Sequence, residues 1–450
     1  MAMLIKLSLS QIASLCGGVL IGEDQVIKNV VTDTRKINGG CLFVAIKGER
    51  FDGHDYAQSA MDQGAIAVLS EKDISVSSYI RVASTVAAYG RIANAIREAF
   101  TGPVVAITGS NGKTTVKDWL AQSLDEKNVL KTRANLNNQI GVPQTLLELT
   151  GDHDAAVIEA GTSFPGEIKK LAEIIRADVV ILTNASGSHF EGFGSLEGIA
   201  VEKGELISAA RATATIILNA DDAYFDYWKT LANQRRVCSF GFTESADLYA
   251  HDLVLEAESS RATFTYQGES VAVYVSGAGR HLVANGMAVV LALMALGMSL
   301  KDAVAKLAQP VQVPGRMERL LTKNKALLIN DCYNASPTSV EAAIDVLAMQ
   351  KVEKTWLVLG ALGELGAQQD EIHKALGEYA QQKGISCLIS VGPIAGLAAQ
   401  AFRANGGEAI FCQTHNEAAS VVQALNKAHA ILVKGSRSSK MENVVNILTL

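Results

Sequence analysis

Short runs of β-branched and aliphatic residues, separated by stretches of helical periodicity, recur along this 450-residue chain and divide it into three blocks. In block 1–84 the pattern predicts strands at 26–32, 41–46 and 65–69 and a helical stretch at 56–63, which makes a small α/β unit. Block 85–312 alternates strand and helix as a parallel sheet requires, with strands at 104–108, 155–160, 179–183 and 215–219. Past Pro310, Pro314 and Gly315, block 313–450 shows Rossmann-like alternation, with strands near 326–330, 355–359, 387–391, 409–411 and 430–434. The expected fold is therefore α/β in three domains. A ligand of the middle domain belongs outside the carboxyl ends of its parallel strands.

Segment 104–115, VVAITGSNGKTT, is a buried-type strand running into a phosphate-binding turn. Gly109 and Gly112 let the backbone curl around Ser110 and Asn111, and a helix starting near Gly112 adds its positive dipole end. Lys113 reaches outer phosphates, Thr114 offers a hydroxyl to magnesium, and Thr115 follows in the first helical turn. Ile107 stands where the usual P-loop has its first glycine, leaving the shorter form G-x-x-G-K-T-T. The alternative is an ordinary strand-to-helix connection.

Hydrophobic residues make up 48% of the chain and charged ones 19%, a globular composition with enough apolar surface for several cores. A net charge of -6 argues against a general nucleic-acid binder. The six cysteines are scattered, without a C-x-x-C pair, which points to reduced thiols in a cytoplasmic protein. The longest apolar stretch, 287–298, is too short to cross a bilayer, so membrane insertion is not expected.

Other strand ends carry candidate chemistry. Glu159 closes an apolar strand at the sheet edge of the phosphate turn and is either a metal ligand or a solvated carboxylate. His189 follows strand 179–183 at that edge, and a lone loop histidine is weak evidence. Lys203 lies on a predicted helix beside Glu202 and Glu205; it is a surface lysine or, if buried, an amine neutral enough to take up carbon dioxide as a carbamate. Arg316 and Asp331 suit phosphate and ribose, or a domain-boundary salt bridge. Lys434, Ser436 and Arg437 form a small-residue turn that favours an anion, or else a solvated charge pair.

Together, Gly109 to Thr115, Glu159, His189, Lys203, Arg316 and Asp331 resemble the ATP-dependent Mur ligases of bacterial peptidoglycan synthesis, over essentially the whole chain. Segments TDTR (32–35), FVAIKG (43–48), FDGH (51–54), NLNNQIGVP (135–143), LGALGELG (359–366) and VKGSR (433–437) match the member that joins D-alanyl-D-alanine to UDP-N-acetylmuramoyl-tripeptide. The resemblance implies a UDP-sugar domain at 1–84, an ATP-binding domain at 85–312 and a domain for the incoming dipeptide at 313–450. It implies that Gly109, Asn111, Gly112, Lys113 and Thr114 cradle the triphosphate. Thr114 and Glu159 would bind one Mg2+, and His189 with carbamylated Lys203 a second. Asn285, Arg316 and Asp331 would contact the nucleotide; Arg35, Lys47 and His54 the UDP-sugar; Asn137 and Asn138 the peptide arm; Glu364 and Lys434 to Arg437 the dipeptide. A cytoplasmic monomer is expected. Asn330 and Ala361 depart from the acidic residues often found at those places in the family.

The implied reaction phosphorylates the tripeptide carboxylate and lets the dipeptide amine displace phosphate from the acyl phosphate. A folylpolyglutamate-synthetase-like ligase would lack the D-G-H segment. A non-catalytic nucleotide switch would need the turn but not Glu159, His189 and Lys203 together.

Overall fold

Strand Cys41–Val44 shows how period-2 alternation builds the first layer of the computed structural model, which describes residues 3–187, 190–311 and 313–449. Leu42 and Val44 pack with Leu9, Ile12 and Ile92, while Cys41 and Phe43 meet Ala57, Ala60 and Tyr79 on the opposite face. The strand lies in a five-stranded sheet ordered Val19–Ile21, Tyr79–Arg81, Ala65–Ser70, Cys41–Val44, Asn29–Val31, parallel except for the first pair. The strand expected over 26–32 shortens to Asn29–Val31, because Val26 bridges to Ser8 and Ile27 donates its N–H to Leu7 O. Ser8 also starts an unforeseen helix, Leu9–Cys16, through a capping box with Gln11.

Helix Thr85–Ala99 joins the first layer to the second. Its Ala88, Tyr89 and Ile92 belong to the first core, and its Ala93 and Ile96 to the next. The second layer is a nine-stranded sheet. Strand Val104–Thr108, buried at every position, lies between Ala155–Glu159 and Val179–Leu182, parallel to both. The chain runs to Val129–Lys131 and Ala155–Glu159 on one side and to Val179–Leu182 and Thr215–Asn219 on the other. A topological switch point therefore falls beside Thr108, where a crevice opens at the carboxyl ends.

Uniform strand–helix alternation across 85–312 does not hold. After Arg236–Gly241 come three consecutive strands, Leu248–Leu255, Ser259–Tyr266 and Glu269–Ser276, paired antiparallel to one another. The two-residue loop of Gln267 (φ +50°) and Gly268 (φ +85°) returns the chain directly and leaves no room for a crossover helix. Against this sheet lies helix Arg280–Ala295, which buries residues 287–293 of the longest apolar stretch in the core. Among the described residues, no helix is long and apolar enough to cross a membrane.

The third layer is a six-stranded sheet ordered Glu318–Leu321, Leu327–Asp331, His429–Lys434, Lys354–Gly360, Cys387–Val391, Glu408–Cys412, parallel after its first pair. Leu357 and Leu359 pack toward helices Pro337–Ala348 and Gln369–Gln382; Val358 packs toward His415–Val422 and Glu442–Thr449. All six cysteines are buried and free.

Candidate active site

The phosphate turn is shaped by what surrounds its two glycines. A Cβ on Gly109 (φ +149°) would lie 1.8 Å from Thr183 Oγ1, and one on Gly112 (φ +85°) would lie 2.6 Å from Asn285 Oδ1. Only glycine fits either place. Ser110 N donates to Asn184 O and Asn111 N to Asn184 Oδ1, at 2.9 and 3.0 Å. Those two amides are thus engaged within the protein. The start of helix Lys113–Ser123 at Gly112 has no side-chain cap, which leaves its first N–H groups available to an anion. Lys113 Nζ folds over the turn, 2.6 Å from Gly109 O and 3.2 Å from Ser110 O. Burial lowers its pKa, Glu159 opposes this, and Arg316 adds to it.

A relay of side chains crosses the turn. Arg316 Nη2 donates to Thr114 Oγ1 at 3.0 Å, and Thr114 Oγ1 donates to Glu159 Oε2 at 3.0 Å. Asn137 Nδ2 donates to the other carboxylate oxygen, Glu159 Oε1, at 2.9 Å. Glu159 is 3% exposed. A buried carboxylate and hydroxyl beside an anion site fit magnesium, which binds through one or two carboxylates together with substrate phosphate oxygens. Among the described residues, no three histidine, cysteine, aspartate or glutamate side chains converge. His189 lies outside the described residues.

Lys203, on helix Leu196–Ser208, is buried rather than on the surface. Its ammonium makes no hydrogen bond to a described residue, and its pKa falls well below 10.5 through desolvation and then the charge of Lys113, against Glu202. Glu202 itself is committed elsewhere: it accepts from Gly166 N and Ile168 N, each at 2.7 Å. Lysine 203 is therefore held as a poorly compensated amine close to the phosphate lysine.

The third layer closes over the turn. Ser336 Oγ donates to Asn111 Oδ1 at 2.9 Å, and Asn111 Nδ2 donates to Thr338 Oγ1 at 3.0 Å. Between the layers is a cavity of about 750 Å³ whose lining includes Lys113, Asp222, Phe242, Asn285, Arg316 and Asp331. Asp331 is paired with Lys434 and accepts from Met317 N at 3.0 Å. It therefore shapes the entry to this layer as well as lining the cavity. Asn330 lies opposite Glu318 in register and donates to its Oε2 at 2.8 Å, where an aspartate would be repelled.

The remaining expected residues divide by exposure. Arg35 is exposed and chelates Asp33 at 2.7 Å, and Lys47 is exposed on the hairpin closed by its bridge to Asp52. His54, expected among the UDP-sugar contacts, is buried: Nδ1 lies 2.5 Å from Asp52 Oδ1, and Nε2 accepts from Glu71 N at 3.0 Å. The turn it fills needs both ring nitrogens. Asn138 is exposed and its Oδ1 accepts from Gly141 N at 2.9 Å, at the start of helix Gly141–Leu146. Ser436 is buried and Arg437 exposed; Glu364 is exposed, with a left-handed φ of +61°.

Three contributors were not expected from sequence. Asn184 organises the turn, Ser336 docks on it, and the Tyr333 ring lies between the guanidinium groups of Arg316 (4.4 Å) and Arg437 (5.8 Å). Only Ser336 carried a local signal, as a serine before Pro337 at a helix start.

Sheet order, phosphate turn and closing third layer together define a nucleotide-dependent ligase architecture, and the chain belongs to the Mur ligase family. It matches the Mur ligase middle domain over residues 107–293, the Mur ligase glutamate ligase domain over 315–437, and the Mur ligase family catalytic domain over 26–122. It is 38% identical to the UDP-N-acetylmuramoyl-tripeptide--D-alanyl-D-alanine ligase of Escherichia coli (strain K12), with 99% of each chain covered. The enzyme of the same name from Bacillus subtilis (strain 168) is 33% identical, again over 99% of each. Among solved structures, MurF from Acinetobacter baumannii superimposes with a TM-score of 0.91 at 32% identity, covering 99% of both chains. MurF from Thermotoga maritima in complex with ADP gives 0.84 at 29% identity, covering 93% of this chain and 96% of that one.

Proposed function

We propose that this chain is the ATP-dependent ligase that joins the terminal carboxylate of UDP-N-acetylmuramoyl-tripeptide to the amine of D-alanyl-D-alanine, releasing ADP and phosphate. The observation that carries it is the relay from Arg316 through Thr114 to Glu159 and Asn137, which ties a phosphate turn to the acceptor loop through one buried carboxylate. A switch that merely held nucleotide would have no use for that link. The full-length similarity to enzymes of this name supports the same substrates.

In the first step a carboxylate oxygen attacks the γ-phosphorus, the bond to the β–γ bridging oxygen breaks, and ADP leaves. In the second, the dipeptide amine attacks the acyl carbon, phosphate departs, and the amine loses a proton. Both steps gather negative charge, so catalysis rests on fixed positive groups. Lys113 and the open helix start hold the triphosphate, and Arg316 adds charge from the third layer. Thr114 and Glu159 would hold one Mg2+, and His189 with a carbamylated Lys203 a second. Magnesium, when bound, supplies compensation for charge on the transferring phosphoryl oxygens. Lys203 is suited to carbamylation because a neutral amine attacks carbon dioxide, forming an N–C bond and losing a proton.

Asn285 and Asp331 are assigned to the base and ribose within the cavity between the layers. Residues 1–84 bind the UDP-sugar, with Arg35, Lys47 and His54 among the contacts. Residues 313–450 bind the dipeptide near Glu364, Lys434, Ser436 and Arg437, and Asn137 and Asn138 seat the peptide arm. The enzyme is taken as a cytoplasmic monomer without nucleic-acid partners, in keeping with a nucleotide-linked substrate and six buried free thiols. Incubation with UDP-N-acetylmuramoyl-tripeptide, ATP, magnesium and D-alanyl-D-alanine should release phosphate and yield the pentapeptide by mass spectrometry. ATP binding with no amide product from any muramyl acceptor would overturn the assignment.

A further inference from the structure

The peptide group joining Ala361 to Leu362 is clamped at both ends. Its carbonyl accepts from Ser436 N at 3.0 Å and from Ser436 Oγ at 2.7 Å. Its N–H, on Leu362, donates to His373 Nε2 at 3.1 Å. The His373 ring is wholly buried on helix Gln369–Gln382, and its Nδ1 lies 2.6 Å from Gln369 O. A carbonyl only accepts, so Nδ1 carries the proton; an amide only donates, so Nε2 is bare. The imidazole is thus fixed as one neutral tautomer, and desolvation holds its pKa below the usual 6.5.

What the clamp presents is the segment that carries Glu364. Leu362 and Leu365 bury their side chains in the core of the third layer, at 1% and 3% exposure, while Glu364 between them stays exposed. Glu364 also adopts φ +61°, a left-handed conformation that costs a non-glycine residue energy and persists only when its surroundings enforce it. Its carbonyl accepts from Glu191 N at 3.2 Å, so the second layer touches the same segment. One hydrogen-bonded peptide therefore joins the Ser436 turn to the Glu364 turn, and His373 holds that peptide from outside both turns.

We infer that His373 is a positioning residue for the incoming dipeptide: by accepting from Leu362 N it fixes the Glu364 turn against the Ser436 turn so that both address the same amine substrate. This rests on the dipeptide site proposed above. His373 touches neither nucleotide cavity nor reacting atoms and acts only through the Leu362 amide. Steady-state phosphate release, varying each of the three substrates, tests the role with His373→Phe, which keeps ring volume without an acceptor, and His373→Gln, whose amide oxygen reaches the Nε2 position.

The expected result is that His373→Phe raises KM for D-alanyl-D-alanine by about 10-fold or more, with KM for ATP and for the UDP-linked tripeptide within about 2-fold, and that His373→Gln recovers most of the loss. An unchanged dipeptide KM in His373→Phe, a parallel rise in all three KM values, or equal damage by Phe and Gln would overturn it. If His373→Phe is insoluble, His373→Gln is set against His373→Asn, whose shorter side chain falls short of Leu362 N. Near-normal dipeptide KM in Gln with a raised value in Asn supports the role, and identical values refute it. A wild-type protein with no dipeptide-dependent phosphate release fails the functional assignment and takes the positioning role with it. An active wild type beside an unaffected His373→Phe fails the positioning role alone.

Discussion

Lys203 and Lys434 are equally buried, each 2% exposed, yet they sit in opposite electrostatic company. Lys434 ends a strand of the third layer, pairs with Asp331 and donates to Asn334 O at 3.2 Å. Lys203 sits in a helix of the second layer, repelled by Lys113 and attracted by Glu202, whose oxygens already serve backbone amides. A compensated buried cation locks a scaffold. An uncompensated one holds its proton less tightly and becomes available for chemistry.

The largest test of this contrast is turnover. Lys203→Met should lower kcat by about 1,000-fold or more if the amine carries a carbamate that helps hold metal, and millimolar bicarbonate or short carboxylates should partly restore a Lys203→Ala variant but not Lys203→Met. Full activity of either variant would remove the carbamate role. Next in size is stability. Lys434→Met leaves Asp331 buried without its cation and should cost about 3–5 kcal/mol in urea unfolding. A neutral result would show that the pair contributes little to holding the strand ends.

Lys203→Met should move stability the other way. Its folded pKa is lowered from 10.5, so between these values the unfolded chain binds the extra proton. Whatever stability the neutral amine permits is complete above 10.5 and is lost as pH falls from there toward the folded value. In buffer free of carbon dioxide, wild-type stability should therefore rise with pH across that window, and the methionine variant should be more stable at neutral pH with a flatter profile. A wild-type slope equal to that of the variant would contradict the lowered pKa. The smallest effect is expected at Asn330→Asp, which faces Glu318 with like charge and should cost about 1 kcal/mol or less, shrinking with added salt.

Local pattern was enough to locate the phosphate turn, since a β-prone run, two glycines, a lysine and a helix start are contiguous in the chain. The three-layer α/β organisation was legible for the same reason: parallel strands buried on both faces write continuous apolar runs such as 104–108 and 179–182. The hairpin at Gln267 and Gly268 was missed although its two-residue loop is a local signal, because its strands are half exposed and mix polar with apolar positions. Asn184 and Tyr333 had no signal in sequence. Asn184 takes its role from Asn111, some seventy positions away, and Tyr333 takes its role from Arg316 and Arg437, the latter about a hundred positions away. Burial of His54 had no signal in sequence, because a histidine in a polar turn reads the same whether its ring faces solvent or plugs the turn.

Sequence by itself determined the main parallel strands, the identity of the phosphate turn and the set of polar residues available at strand ends, because each depends on neighbours within a turn or two of chain. Tertiary structure alone decided which of those residues meet. Desolvation of Lys203, the Asp331–Lys434 pair, the reach of Arg316 to Thr114 and the clamp on Leu362 all depend on dielectric and distance between segments far apart in sequence. Charge is written in the chain; how strongly it is felt depends on what folding places beside it.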